Sequence, residues 1–142
     1  MLSQLRYHHV GIACRDIEKT RAFYLAMGYT AQPIIDDPLQ DIRICFLEHP
    51  SQPMLELLAP IDEKSPVNRI LKAVGVSPYH ICYSVDDLEA TMKSLRREHR
   101  FVTVSKPLPA CAIDNRRVAF MFHNDVGLIE LVETQASSDD AQ

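Results

Sequence analysis

An internal duplication constrains this chain more than any other feature. The stretch His9-Val-Gly-Ile-Ala-Cys-Arg-Asp16-Ile-Glu18-Lys-Thr20 returns as His80-Ile-Cys-Tyr-Ser-Val-Asp-Asp87-Leu-Glu89-Ala-Thr91, an offset of 80 − 9 = 71. Further along, Arg43-Ile-Cys-Phe46 and Leu55-Glu56-Leu57-Leu58 return as Arg117-Val-Ala-Phe120 and Ile129-Glu130-Leu131-Val132, with offsets of 117 − 43 = 74 and 130 − 56 = 74. The second copy is therefore three residues longer in its middle (74 − 71 = 3), while its ends stay in register. A repeat this long, present twice, exceeds the common solenoid periods, so one closed domain of two modules is expected over residues 1–142. A chain of 142 residues can bury one ordinary core.

Periodicity gives each module the same element order. Tyr7–Cys14 and Tyr79–Val85 are β-prone runs, each followed by an aspartate placed to cap a helix, Asp16 and Asp87. After Asp87, the apolar residues Leu88, Met92 and Leu95 recur at helical spacing and predict one face packed on a sheet. The helices are expected to end near Gly28 and Arg100. Three strands follow in each copy, at about 31–35, 42–47 and 54–58, then 102–105, 117–122 and 128–132. The fold class is thus α+β, two tandem βαβββ modules at about 5–60 and 79–134. Between them, residues 61–78 hold Ser65-Pro66, a short helix to about Val74 and a stop over Gly75–Pro78. The polar tail 135–142 is expected to be disordered.

Strand alternation decides where the ionisable residues point. His9, Gly11 and Ala13 share one face, as do His80, Cys82 and Ser84, so each imidazole has small neighbours along its own strand. Glu56 shares a face with Met54 and Leu58, and Glu130 with Leu128 and Val132, apolar settings in which an isolated carboxylate costs several kcal/mol. Two imidazoles and two carboxylates that meet would offset that cost by holding one divalent cation. Nitrogen and oxygen donors in that ratio suit Co, Ni, Zn, Fe or Mn. The expected metal ligands are His9, Glu56, His80 and Glu130.

Composition narrows the partners. With 46% hydrophobic and 24% charged residues and a net charge of −4, the chain is globular and poorly suited to nucleic acid or anionic membrane. Cys14, Cys45, Cys82 and Cys111 are widely spaced without a CxxC pair and suit reduced thiols. The N-terminal residues lack an apolar run of signal-peptide length, and no run approaches the roughly 18 residues of a membrane span. The expectation is a cytoplasmic protein acting on a small molecule.

The residues also resemble a known family. His9-Val-Gly-Ile-Ala, Leu55-Glu56-Leu57-Leu58-Ala-Pro60, Ser65-Pro66, Tyr79-His80-Ile-Cys-Tyr-Ser-Val-Asp-Asp-Leu-Glu89, Arg117-Val-Ala-Phe120 and Gly127-Leu-Ile-Glu130-Leu-Val look like the vicinal oxygen chelate superfamily, which comprises glyoxalases, bleomycin resistance proteins and dioxygenases. Within it the chain is most similar to the methylmalonyl-CoA epimerases and the short glyoxalase I proteins, over about Tyr7 to Glu133. The resemblance implies a cupped mixed sheet around a metal held by His9, Glu56, His80 and Glu130. It further implies a metal-dependent isomerase that acts through an enolate on a carbonyl or acyl-thioester substrate. Glu130 or Glu56 would be the base, and the protein would be a homodimer. A glyoxalase I lyase is the near alternative. A ring-cleaving dioxygenase and a non-catalytic ligand-binding protein of the bleomycin resistance type are the distant ones. Arg117 and Arg116 are expected to grip an anionic group of the substrate, since guanidinium suits bidentate recognition. Where some epimerases carry an extra non-ligand glutamate, this chain offers Arg43 or Ile44.

Overall fold

A computed structural model describes residues 2–134; the expectation for the tail 135–142 lies outside the described residues. The chain is α+β, with ten strands and three α-helices among the described residues. It divides into two compact units, residues 9–79, and residues 80–134 together with 2–8. The division falls inside the first strand, β1 (Arg6–Ala13). No helix among the described residues is long and apolar enough to cross a membrane.

In the 9–79 unit, β1 leads to α1 (Ile17–Ala26), β2 (Thr30–Ala31), β3 (Ile35–Asp37), β4 (Ile42–Glu48), β5 (Leu55–Pro60) and α2 (Val67–Ala73). The Asp16 side chain accepts from the Glu18 and Lys19 amides at 3.1 Å each and caps α1. That helix ends where Gly28 adopts φ +98°, a conformation costly for any residue with a Cβ. Strands pair in the order β2-β4-β5-β1, with β3 also on β4, and β1 runs parallel to β5 with Gly11 opposite Glu56. One face packs Ile12, Cys45, Leu47, Leu57 and Ala59 with Ile17 of α1. His9, Gly11, Glu56, Leu58, Ile44 and Phe46 lie on the other, as alternation and register require.

The second unit repeats this order as β6 (Ser77–Val85), α3 (Leu88–His99), β7 (Val102–Thr103), β8 (Leu108–Ala110), β9 (Arg116–His123) and β10 (Gly127–Glu133). Its strands pair β6-β10-β9-β7, with β8 on β9, and β6 is parallel to β10 with Cys82 opposite Glu130. Leu88, Met92 and Leu95 are buried as their spacing predicts, packed on Ala119, Met121, Ile129 and Leu131. Asp87 caps α3 through the Ala90 amide at 3.0 Å, and Arg100 takes the left-handed position (φ +62°) that Gly28 fills in the first unit.

Three expectations need correction. The strand predicted at 31–35 is two short strands with Pro33 between them, because proline has no N–H to give the ladder. The strand predicted at 102–105 stops at Thr103, where the Val104 and Ser105 amides both donate to the Phe120 carbonyl at 2.8 and 3.2 Å; β8 resumes beyond Pro107. Each copy is therefore βα followed by four strands rather than three. The linker stop is also shorter, since Ser77 and Pro78 already belong to β6.

Candidate active site

Each unit brings one histidine and one glutamate together on adjacent parallel strands. His9 on β1 and Glu56 on β5 meet with Nε2 and Oε1 3.3 Å apart. His80 on β6 and Glu130 on β10 meet through the same atoms at the same 3.3 Å. All four are buried, none more than 3% exposed. The reason is local: the glutamate faces the residue two beyond the histidine, Gly11 or Cys82, whose small side chain lets the carboxylate lean back over the strand towards the imidazole.

An aromatic ring completes each pair. Phe46 is the direct cross-strand partner of Glu56, and Phe120 that of Glu130. Their rings stand 5.2 Å from the His9 and His80 rings, at 82° and 88°. The remaining face neighbours are apolar: Ile44 and Leu58 in one unit, Val118 and Val132 in the other, all at most 2% exposed. The two settings differ in openness. Phe46 is buried beside Glu56, whereas beside Glu130 Phe120 and Leu128 are half-buried and Phe122 is 39% exposed. An imidazole nitrogen beside a carboxylate oxygen, buried and walled largely by hydrocarbon, is the donor chemistry that a borderline divalent cation accepts, so the residues present fit such an ion.

Of the two arginines expected at the substrate, Arg117 is placed otherwise. Arg117 sits two residues before Ala119 and so points to the α3 face, away from Glu130. There its Nε donates to Glu133 at 2.9 and 3.0 Å, its Nη2 contacts both Glu133 and Glu89, and its Nη1 donates to Glu89 at 2.6 Å. These bonds hold Glu89 below the usual carboxylate range. Arg116 does share the Glu130 face by alternation, and its Nε donates to the Glu133 carbonyl. Arg43 likewise turns to the α1 face and pairs with Asp36 at 2.8 Å, beside a cavity of about 340 Å³ that holds no site residue. Of the two neighbouring residues 43 and 44, Ile44 is thus the one on the face of Glu56.

Two repeated features receive no role in the site from sequence alone. Phe46 and Phe120 obey the offset of the glutamates, 120 − 46 = 74, and so do His49 and His123, 123 − 49 = 74. The latter pair closes hairpins: Nδ1 accepts from the Ser51 amide at 3.1 Å and from the Asp125 amide at 3.0 Å. Each ring also packs on an aromatic, Tyr29 or Phe101.

Each module thus carries one His–Glu pair on a pair of parallel strands. The sequence profile of the glyoxalase/bleomycin resistance protein/dioxygenase superfamily matches residues 8–120, and the chain belongs to that superfamily. Within it, the chain is 31% identical to the ethylmalonyl-CoA/methylmalonyl-CoA epimerase of Cereibacter sphaeroides, over 89% of this chain and 96% of that protein. The crystal structure of methylmalonyl-CoA epimerase from Mycobacterium tuberculosis superposes with a TM-score of 0.81 at 29% identity, covering 96% of this chain and 92% of that one. A variant of the Streptomyces coelicolor methylmalonyl-CoA epimerase in complex with 2-nitronate-propionyl-CoA gives 0.77 at 26% identity, covering 92% and 98%.

Proposed function

We propose that this chain is an epimerase of acyl-CoA thioesters in which His9, Glu56, His80 and Glu130 together hold one divalent ion and the glutamates move the α-proton. The repeated His–Glu pair, at 3.3 Å in both units, carries this reading. A divalent ion so held would act as a Lewis acid on the thioester carbonyl and make the adjacent C–H acidic. Glu130 is the proton acceptor, because its surroundings are the more open of the two. Inversion then needs a proton delivered to the opposite face. In the 9–79 unit, strand β4 presents Ile42, Ile44 and Phe46 on the face of Glu56, and its one carboxylate on that face, Glu48, lies at the exposed strand end bonded to Gln32 at 3.0 Å. Glu56 is left as the returning acid; it would take its proton from solvent before each turnover, and Glu130 would release to solvent the one it has gained. One proton leaves, one arrives, and no electron changes hands. The epimerase relatives, one of them in complex with an acyl-CoA analogue, support the thioester as substrate.

The test loads metal-free protein with cobalt or nickel, desalts it, counts ions per chain and follows solvent deuterium entering the α-position of methylmalonyl-CoA. The expected result is one ion per chain with deuterium uptake, and loss of both in His80→Ala. Absence of retained metal, or of uptake by the loaded protein, overturns the reading. Conversion of the methylglyoxal–glutathione hemithioacetal without exchange of methylmalonyl-CoA would replace it with the glyoxalase I chemistry.

A further inference from the structure

On the following side of each histidine the strand offers its ring only a small neighbour, Gly11 after His9 and Cys82 after His80. The preceding residues of the same face, Tyr7 and Pro78, differ between the copies, so no same-strand neighbour common to both sets the two rings alike. The torsion that turns an imidazole about its own axis is broad and intrinsically soft. The rings nevertheless present the same nitrogen, Nε2, to a glutamate at the same distance in both units. What they share is a phenylalanine at 5.2 Å and nearly perpendicular, placed by β4 in one unit and β9 in the other.

We infer that Phe46 and Phe120 are positioning residues that set the planes of His9 and His80 and so aim each Nε2 at the place a divalent ion would take. The inference rests on the metal-binding reading above. Bulk alone does not account for the repeat. At neighbouring positions the two copies exchange shapes freely, Ile44 for Val118, Cys45 for Ala119 and Leu47 for Met121, while the ring is kept at 46 and 120. A perpendicular ring contact restrains orientation where an aliphatic side chain of similar volume only fills space.

The test compares Phe46→Leu, Phe120→Leu and Phe120→Tyr with the parent protein. Tyrosine keeps the ring, and the half-buried Phe120 site leaves room for its hydroxyl. Cobalt affinity is measured by competition with a chelator, and the His9 and His80 ring C–H resonances are followed in metal-free protein. Each leucine variant is expected to bind cobalt about two- to tenfold more weakly. Each should also shift and broaden only the resonance of its own histidine, with Phe120→Tyr restoring both readouts. Leucine variants that lose thermal stability but keep parental cobalt affinity and parental resonances would reduce the rings to packing and overturn the inference. So would a Phe120→Tyr variant as impaired as Phe120→Leu. A parent protein that retains no cobalt overturns the proposed function instead, and the metal-free resonances then decide the ring contact separately.

Discussion

Replacing Arg117 by methionine separates the role read from the structure from the role its chemistry suggested. The guanidinium lies between Glu133, whose side chain is 10% exposed, and Glu89, whose side chain is 61% exposed. Only the Glu133 arm carries much energy. Hydrogen bonds to a charged partner in such a setting contribute about 1.5–3 kcal/mol, and a carboxylate left without its cation adds a desolvation cost. The Glu89 arm is screened and contributes about 0.5 kcal/mol or less. Methionine keeps most of the apolar stem, so Arg117→Met should cost about 2–3 kcal/mol in urea unfolding, a fall in Tm of roughly 6–12 °C for a chain of this size. Adding Glu133→Gln removes the uncompensated charge and should return about 1 kcal/mol, a coupling that a double-mutant cycle reads directly. Acyl-CoA KM should stay at the parental value, because Arg117 faces α3. A stability loss below about 0.5 kcal/mol together with a raised KM would refute this reasoning and put the guanidinium back on the substrate.

The same ion pair predicts an acid limb. Glu89 has a folded-state pKa below its ordinary 4.5 because Arg117 hydrogen-bonds it, so its contribution to stability is complete above about pH 4.5 and is lost as pH falls through the lowered value. Chemical unfolding followed from pH 4.5 downward should show a shallower decline in Arg117→Met than in the parent. Among the thiols, burial raises Cys14 to about 11 and also raises Cys45, and Cys82 is fully buried, whereas Cys111 is exposed. Ellman's reagent should therefore find one fast thiol in the native protein and four after unfolding. Asp16→Ala removes a cap that accepts two amides and should cost about 1 kcal/mol, and Asp87→Ala, which caps one, somewhat less, both by urea unfolding.

Most of the architecture was readable because it is written twice. The caps at Asp16 and Asp87, the buried face Leu88-Met92-Leu95 and the facing of His9, Glu56, His80 and Glu130 all follow from period and alternation, which a single chain displays. Prolines interrupt the second strand of each module, and a smoothed β-propensity run hides a missing amide such as that of Pro33. Arg117 is expected at the substrate from its residue type, which suits anion binding, whereas its parity with Ala119 and Met121 puts it on the helix side. Its partners Glu89 and Glu133 lie 28 and 16 residues away, and only tertiary structure brings them together. Phe46 and Phe120 carried a legible signal in their shared offset, but apolar residues in a strand read as core unless a histidine is known to stand beside them.

The division of the chain inside β1 has a consequence for the order in which the protein is made. Residues 9–79 form a continuous unit, and every contact internal to it can form once residue 79 has been synthesised. The other unit needs residues 2–8, among them Leu5, which packs against Leu131 and its neighbours from the far end of the sequence. Residues 2–8, translated before the 9–79 unit, are thus consolidated after it. An early-emerging segment must wait through the synthesis of an entire module before its own core arrives, and the loop that closes on it already contains a folded body.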